Sequence, residues 1–183
     1  MTTPATLTAV PSVFIHCENC YAAGRLAGRW FGLDEIDEVT LATVHEGAGR
    51  VWPGCEEILV TDTSDMPLAR EMSLAAAARW GECYEEAGTD RWHAVCAWVQ
   101  SGCYTAEGTG DIPSLSDFEE SYQGRWDSFR EYAQQLADDI GLTDGWPDEA
   151  QRYFDWDAWT RDLAFDYTVA DAPDGGLFVF RNF

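Results

Sequence analysis

An α+β fold built as three small domains is what the sequence predicts, and three features predict it. Short β-branched and aromatic runs alternate with longer stretches at helical spacing. Breaks carrying Gly and Pro, near residues 47–54 and 101–113, interrupt them. The aromatic residues, 14% of the chain, fall into clusters that suit three small cores. The expected domains are residues 12–65 (a small β-sheet plus helix), 66–117 (helical) and 118–183 (α+β).

The first ten residues are small and Thr/Ala-rich and are expected to fray. Residues 13–17 read as a strand. Gly24, Gly28 and Gly32 punctuate a turn and a second strand around residues 29–31. Residues 33–45 place Leu33, Ile36, Val39 or Thr40, and Val44 near helical spacing, with Asp34, Glu35, Asp37 and Glu38 in the first turns, where carboxylates complement the helix dipole. After the loop around Gly47, Gly49, Pro53 and Gly54, residues 57–62 form another strand. Ser64-Asp65-Met66-Pro67 reads as a helix start for residues 68–86. Residues 89–99 follow as a helix with Trp92, Val95, Cys96 and Val99 on one face, and residues 114–121 as a short third one. Residues 126–140 are expected helical, with Phe129, Tyr132, Ala133 and Leu136 inward and Gly141 as the stop. Helical segments at 147–153 and 155–165 precede an Asp174-Gly175-Gly176 turn and a terminal strand at 177–180.

Charge narrows the function. The 183 residues hold 33 Asp+Glu against 11 Lys+Arg, for a net charge of −22, and every basic residue is Arg. Nucleic-acid binders take much of their affinity from a basic face that releases counterions, so this chain is not expected to bind DNA or RNA. Repulsion argues equally against an anionic membrane. No run of about 18 apolar residues is present, and residues 1–17 lack the charged start and apolar core of a signal peptide. The expected location is the cytoplasm, with Cys17, Cys20, Cys55, Cys83, Cys96 and Cys103 as reduced thiols.

Catalytic signatures are sparse. No G-x-S-x-G, H-E-x-x-H, P-loop or dinucleotide fingerprint occurs. Cys17-Glu18-Asn19-Cys20 is a C-x-x-C, but zinc needs four ligands and no second pair follows. Cys55 and His45 or His16 would have to be brought in by the fold, so two small residues at a strand end is the expected reading, with no metal and no cofactor. Asp155-Trp156-Asp157 and Asp138-Asp139 lack the loop pattern of a calcium site. Carboxylate pairs are abundant enough for acid/base chemistry, which leaves a salt-adapted acidic hydrolase as the alternative to a non-enzymatic binding protein.

Duplex DNA carries about one charge per 1.7 Å of axis, so 22 charges match roughly 37 Å, on the order of 11 base pairs. A chain charged in this way fits the basic groove of a DNA-binding enzyme. Motifs point the same way. Phe14-Ile15-x-Cys17-x-x-Cys20-Tyr21-x-x-Gly24-x-Leu26-x-Gly28-x-Trp30 resembles the opening of the ArdA antirestriction family. Glu56-Glu57-Ile58-Leu59-Val60-Thr61-Asp62 is similar to its acidic strand. Phe129-x-x-Tyr132-x-x-x-Leu136-Ala137-x-Asp139-x-Gly141, Tyr153-Phe154-Asp155-Trp156-Asp157-Ala158-x-x-Arg161-Asp162-Leu163 and the Gly-Gly-x-x-Val-Phe ending resemble its C-terminal part. Cys17 and Cys20 stand where many relatives carry Ala or another small residue.

The resemblance implies an elongated three-domain α+β chain that dimerises, mimics bent B-form DNA and inhibits type I restriction–modification enzymes by filling the DNA-binding site of their specificity and methyltransferase subunits. It implies no enzymatic activity, and residues 130–146 correspond to the family's antirestriction motif. The carboxylates expected to face the partner are Asp34, Glu35, Asp37, Glu38, Glu56, Asp62, Glu85, Glu86, Asp117, Glu119, Glu120, Asp127, Glu131, Asp138, Asp139, Asp148, Glu149, Asp155 and Asp157. Dimerisation is expected through the aromatic-rich C-terminal domain, because so small a domain leaves apolar surface uncovered.

Overall fold

The computed structural model describes residues 10–106, 108 and 110–183. The fraying expected of the first ten residues therefore falls, Val10 apart, outside the described residues. The fold is mixed α+β, with two three-stranded sheets and eight α-helices among the described residues. The chain forms two compact units: residues as far as Trp92 together with Ala106–Pro113, and His93–Thr105 together with Ser114–Phe183. Residues 66–117 are shared between them.

The first unit is built on β1 (Ser12–Cys17), flanked antiparallel by β2 (Gly28–Gly32) and β3 (Ile58–Ser64) in the order β2-β1-β3. Alternation puts Val13, Ile15 and Cys17 on the buried face, where all three are fully covered. A register shift against β3 falls between Phe14 and Ile15. A short helix, α1 (Glu18–Ala22), turns the corner from β1 to β2, where only a turn was expected.

The helix expected over residues 33–45 is instead a 3-10 helix (Leu33–Glu38) followed by the single turn α2 (Leu41–Val44). Leu33, Ile36 and Val39 are spaced by threes, which suits the 3-10 period and buries all three. Thr40 then breaks the helix: its hydroxyl accepts from Thr43 N while Thr43 Oγ1 accepts from Thr40 N. The helix start expected at Ser64–Pro67 is also displaced. Asp65 is left-handed (φ 57°), Trp92 Nε1 donates to its carbonyl, and Met72 bridges to Val60. With residues 64–72 committed to that turn and bridge, α3 (Leu74–Ala87) begins behind Ser73, whose hydroxyl accepts from Ala76 N.

The division between units falls within α4 (Thr89–Ser101), whose expected face of Trp92, Val95, Cys96 and Val99 is buried. In the second unit come α5 (Leu115–Ser121), β4 (Tyr122–Trp126), α6 (Phe129–Asp139), α7 (Asp148–Arg152), α8 (Trp156–Leu163), β5 (Tyr167–Asp171) and β6 (Leu177–Arg181). The sheet order is β4-β6-β5, antiparallel throughout. Phe118 on α5 ties the core together, with ring centroids 5.1 Å from Tyr122, 5.7 Å from Trp98 and 6.3 Å from Phe180. The helix expected from residue 126 starts only at Phe129, because residues 122–126 pair with β6 and Ser128 supplies the cap. Tyr132, Ala133 and Ala137 form its buried face, while Phe129 and Leu136 are half-buried. Gly141 ends it as expected, left-handed at φ 62°.

Candidate functional site

Acidic residues lie along the 3-10 helix, β3, β5 and every α-helix but α2, and in the loops between elements. Asp34, Glu35, Asp37 and Glu38 lie exposed on the 3-10 helix, where a three-residue turn at ~2 Å rise stacks Asp34 with Asp37 and Glu35 with Glu38, about 6 Å apart along the axis. Glu56 is exposed just ahead of β3, and Asp62 within it. Glu85 and Glu86 join Glu82 on the exposed side of α3. On α5, Glu119 and Glu120 are exposed and Asp117 half-buried. Asp127, Glu131, Asp138, Asp139, Asp148, Glu149, Asp155 and Asp157 are all exposed on and around α6, α7 and α8. No described carboxylate is buried; Asp111 and Asp117 are half-buried and the others exposed.

Several of these carboxylates also hold the fold. Asp155 Oδ1 accepts from Ala158 N at 2.9 Å and caps α8; Glu131 Oε2 accepts from Asp127 N at 3.1 Å ahead of α6. Arg130 pairs with Asp157 at 2.7 Å, Arg29 with Glu46 at 3.1 Å, Arg161 with Asp162 at 3.1 Å, and Arg70 with Asp111. These pairs are exposed and worth little individually. Among these, arginine neutralises one carboxylate at a time, and the remaining charge faces water.

A hollow of about 570 Å³ in the second unit collects Asp117, Glu120 and Arg181 beside Trp98 and Phe183. Asp117 and Glu120 are one turn apart on α5, side by side on a single wall. A carboxylate-pair hydrolase needs its two acids on opposite sides of the scissile bond, an arrangement these two do not make.

The C-x-x-C behaves differently from two isolated small residues. Cys17 ends β1, Cys20 lies in α1, His45 ends α2 and Cys55 follows Pro53-Gly54. Their three sulfurs and one ring nitrogen lie within 4.8 Å of one another, all buried. His16 stays apart, stacked on Tyr21 and in contact with Thr61 Oγ1 at 3.3 Å. Cys20 Sγ is 3.5 Å from Cys55 Sγ and 3.5 Å from His45 Nε2. Burial pushes the Cys17 thiol up to about 11. Burial acts upward on Cys55 as well, but hydrogen bonding to its sulfur, chiefly from Cys17, Asn19 and Cys20, outweighs it and brings it down to about 6. The spacing of Cys17 and Cys20 was visible in the sequence; the signal for their partners was that Cys55 and His45 bracket one Gly/Pro-rich loop.

Comparison with known proteins agrees with the motifs. A search of curated proteins returns no match. A family model described as antirestriction protein (ArdA) matches residues 13–177, nearly the whole chain. That span takes in every helix described here, the first sheet but for Ser12, and the second sheet as far as the first residue of β6, and on it the chain belongs to the ArdA family of antirestriction proteins.

Proposed function

We propose that the protein inhibits type I restriction–modification enzymes by presenting its carboxylates to their DNA-binding groove in place of phosphates. The observation that carries this reading is that no described carboxylate is buried in a chain of net charge −22. Self-repulsion of this size destabilises a compact state, so a surface of this kind suits a basic partner. Acids three or four residues apart on a helix stand about 5–6 Å apart, close to the roughly 6–7 Å between successive backbone phosphates on a strand that carries one charge per 3.4 Å of rise. Glu82 with Glu85 and Glu86 line an exposed helix side at such intervals, and on α6 Glu131 stands two turns, about 10–12 Å, from Asp138 and Asp139.

The acting form is a cytoplasmic homodimer joined through residues 118–183, where Ile140, Tyr153, Phe165, Val169 and Phe183 are exposed apolar side chains. Residues 130–146 contribute Tyr132, Ala133 and Ala137 to the local core; that motif acts by supporting the domain. The test is displacement of a labelled duplex from a purified type I enzyme. Stoichiometric protein at low salt should release the duplex and stop cleavage. Undiminished binding of duplex under those conditions overturns the proposal.

A further inference from the structure

We infer that Cys17, Cys20, His45 and Cys55 form a closed structural site for a divalent zinc-type cation. Four ligands of the Cys₃His type are the usual complement of structural zinc. Metal–sulfur and metal–nitrogen bonds of about 2.3 and 2.0–2.1 Å make tetrahedral edges of about 3.5–3.8 Å. The Cys20–Cys55 and Cys20–His45 separations are both 3.5 Å, and no ligand atom is beyond 4.8 Å from another.

The imidazole is set in the form a metal requires. His45 Nδ1 lies 2.7 Å from the Leu41 carbonyl. A carbonyl only accepts, so Nδ1 carries the proton and Nε2, facing Cys20, presents its lone pair. Asn19 Nδ2 reaches Cys55 Sγ at 3.8 Å and serves as an outer donor to a thiolate. All four ligand residues are buried, leaving no open position for a substrate, so the site is structural.

Charge around the loop fits as well. Three thiolates and one divalent cation leave a net −1, with the displaced thiol protons passing to solvent. The three arginines of the first 65 residues surround this segment. Arg25 and Arg50 lie over Trp52, which tilts against the His45 ring, and Arg29 pairs with Glu46. Between Ala48 and Ile58 the described chain has no helix or strand, and the backbone N–H of Cys55 donates to the Trp52 carbonyl within the same loop. The cation would staple this loop to the β1–α1 corner.

The test is titration of the full, reduced chain with Co²⁺. One equivalent should give sulfur-to-cobalt charge transfer and the visible bands of a tetrahedral site, both abolished by one equivalent of Zn²⁺, and Zn²⁺ alone should raise the melting temperature. Cys55→Ser should lower the charge-transfer intensity by about a third, one thiolate of three. Cys103→Ser, which changes an exposed thiol outside the cluster, should match the parent. The inference is overturned if the parent gives only an octahedral cobalt spectrum, if the bands survive Cys17→Ser with Cys20→Ser, or if the reduced chain ignores Zn²⁺ while its oxidised form joins Cys20 to Cys55. None of these outcomes depends on inhibition of a restriction enzyme.

Discussion

Gly81 and Tyr132 show how individual side chains set local choices that residue type alone does not. Gly81 sits inside α3, where Gly is worse than Ala by ~0.5–1 kcal/mol. Its reason is proximity: a Cβ there would stand 2.8 Å from the Leu33 carbonyl and 3.2 Å from Ile36 Cγ2. Overpacking of that kind costs ~1–3 kcal/mol, which exceeds the helix gain. Gly81→Ala should therefore destabilise by about 1 kcal/mol in urea unfolding; a rise in stability would show that α3 is free to move off residues 33–38. Tyr132 gives a pH signature. Burial first, and then the neighbouring Tyr167 hydroxyl, push its phenol above the ordinary value of 10. Above pH 10 the unfolded chain gives up this proton while the folded one keeps it, so stability falls as pH rises through that window. Tyr132→Phe keeps the ring against Trp126, Phe129 and Tyr167 and removes the proton, so its stability should fall less steeply above pH 10. Equal slopes for parent and variant would refute the assignment.

Caps decide where several of the elements begin. Ser73, Ser114, Ser128 and Asp155 each accept a backbone N–H three residues on. Ser128→Ala should remove about 1 kcal/mol from the second unit, since α6 carries the buried Tyr132, Ala133 and Ala137; an unchanged urea midpoint would mean that Glu131, reaching back to Asp127 N, suffices. Elements with a strong period and a good cap were legible in the sequence: α4 from its apolar face, α5 from Ser114, the end of α6 from Gly141. The others were hidden by tertiary pairing. β4 has Gly124 in its middle, left-handed at φ 99°, and a register shift between Tyr122 and Arg125, so no alternation survives in Tyr-Gln-Gly-Arg-Trp. β5, with Tyr167, Thr168 and Val169, followed a helical run with no break, its pairing supplied by β6. Residues 64–73 contain good helix formers, yet Val60 claims Met72 for a bridge. The exposed carboxylates could be anticipated from residue type. The members of the Cys/His cluster could be named from the sequence, but their convergence, and the choice of His45 over His16, came only from the β1–α1 corner and the loop to Cys55.

At the scale of the whole molecule, one charge distribution acts in opposite directions on two associations. Binding a basic groove replaces counterions on both partners, and exposed charges are screened beyond about 8–10 Å at ordinary ionic strength. The proposed pairing of two chains would instead set −22 against −22, and the attraction available to it is apolar: Ile140, Tyr153, Phe165 and Phe183 are each at least 60% exposed. The arginines offer limited relief there. Arg125 already donates to the Gly175 carbonyl at 2.7 Å and Arg130 to Asp157, leaving Arg152, exposed in the last turn of α7, as the better placed of the three. Raising salt weakens repulsion between chains and leaves the apolar term intact or strengthened, so self-association should tighten, whereas inhibition should fade. Sedimentation at micromolar protein and duplex displacement, run over the same salt series, separate the two. Association that loosens with salt would place ion pairs at the dimer contact, and a monomer at every salt concentration would remove the dimer from the mechanism. Inhibition that persists undiminished would mean that apolar contacts, not carboxylates standing in for phosphates, hold the enzyme.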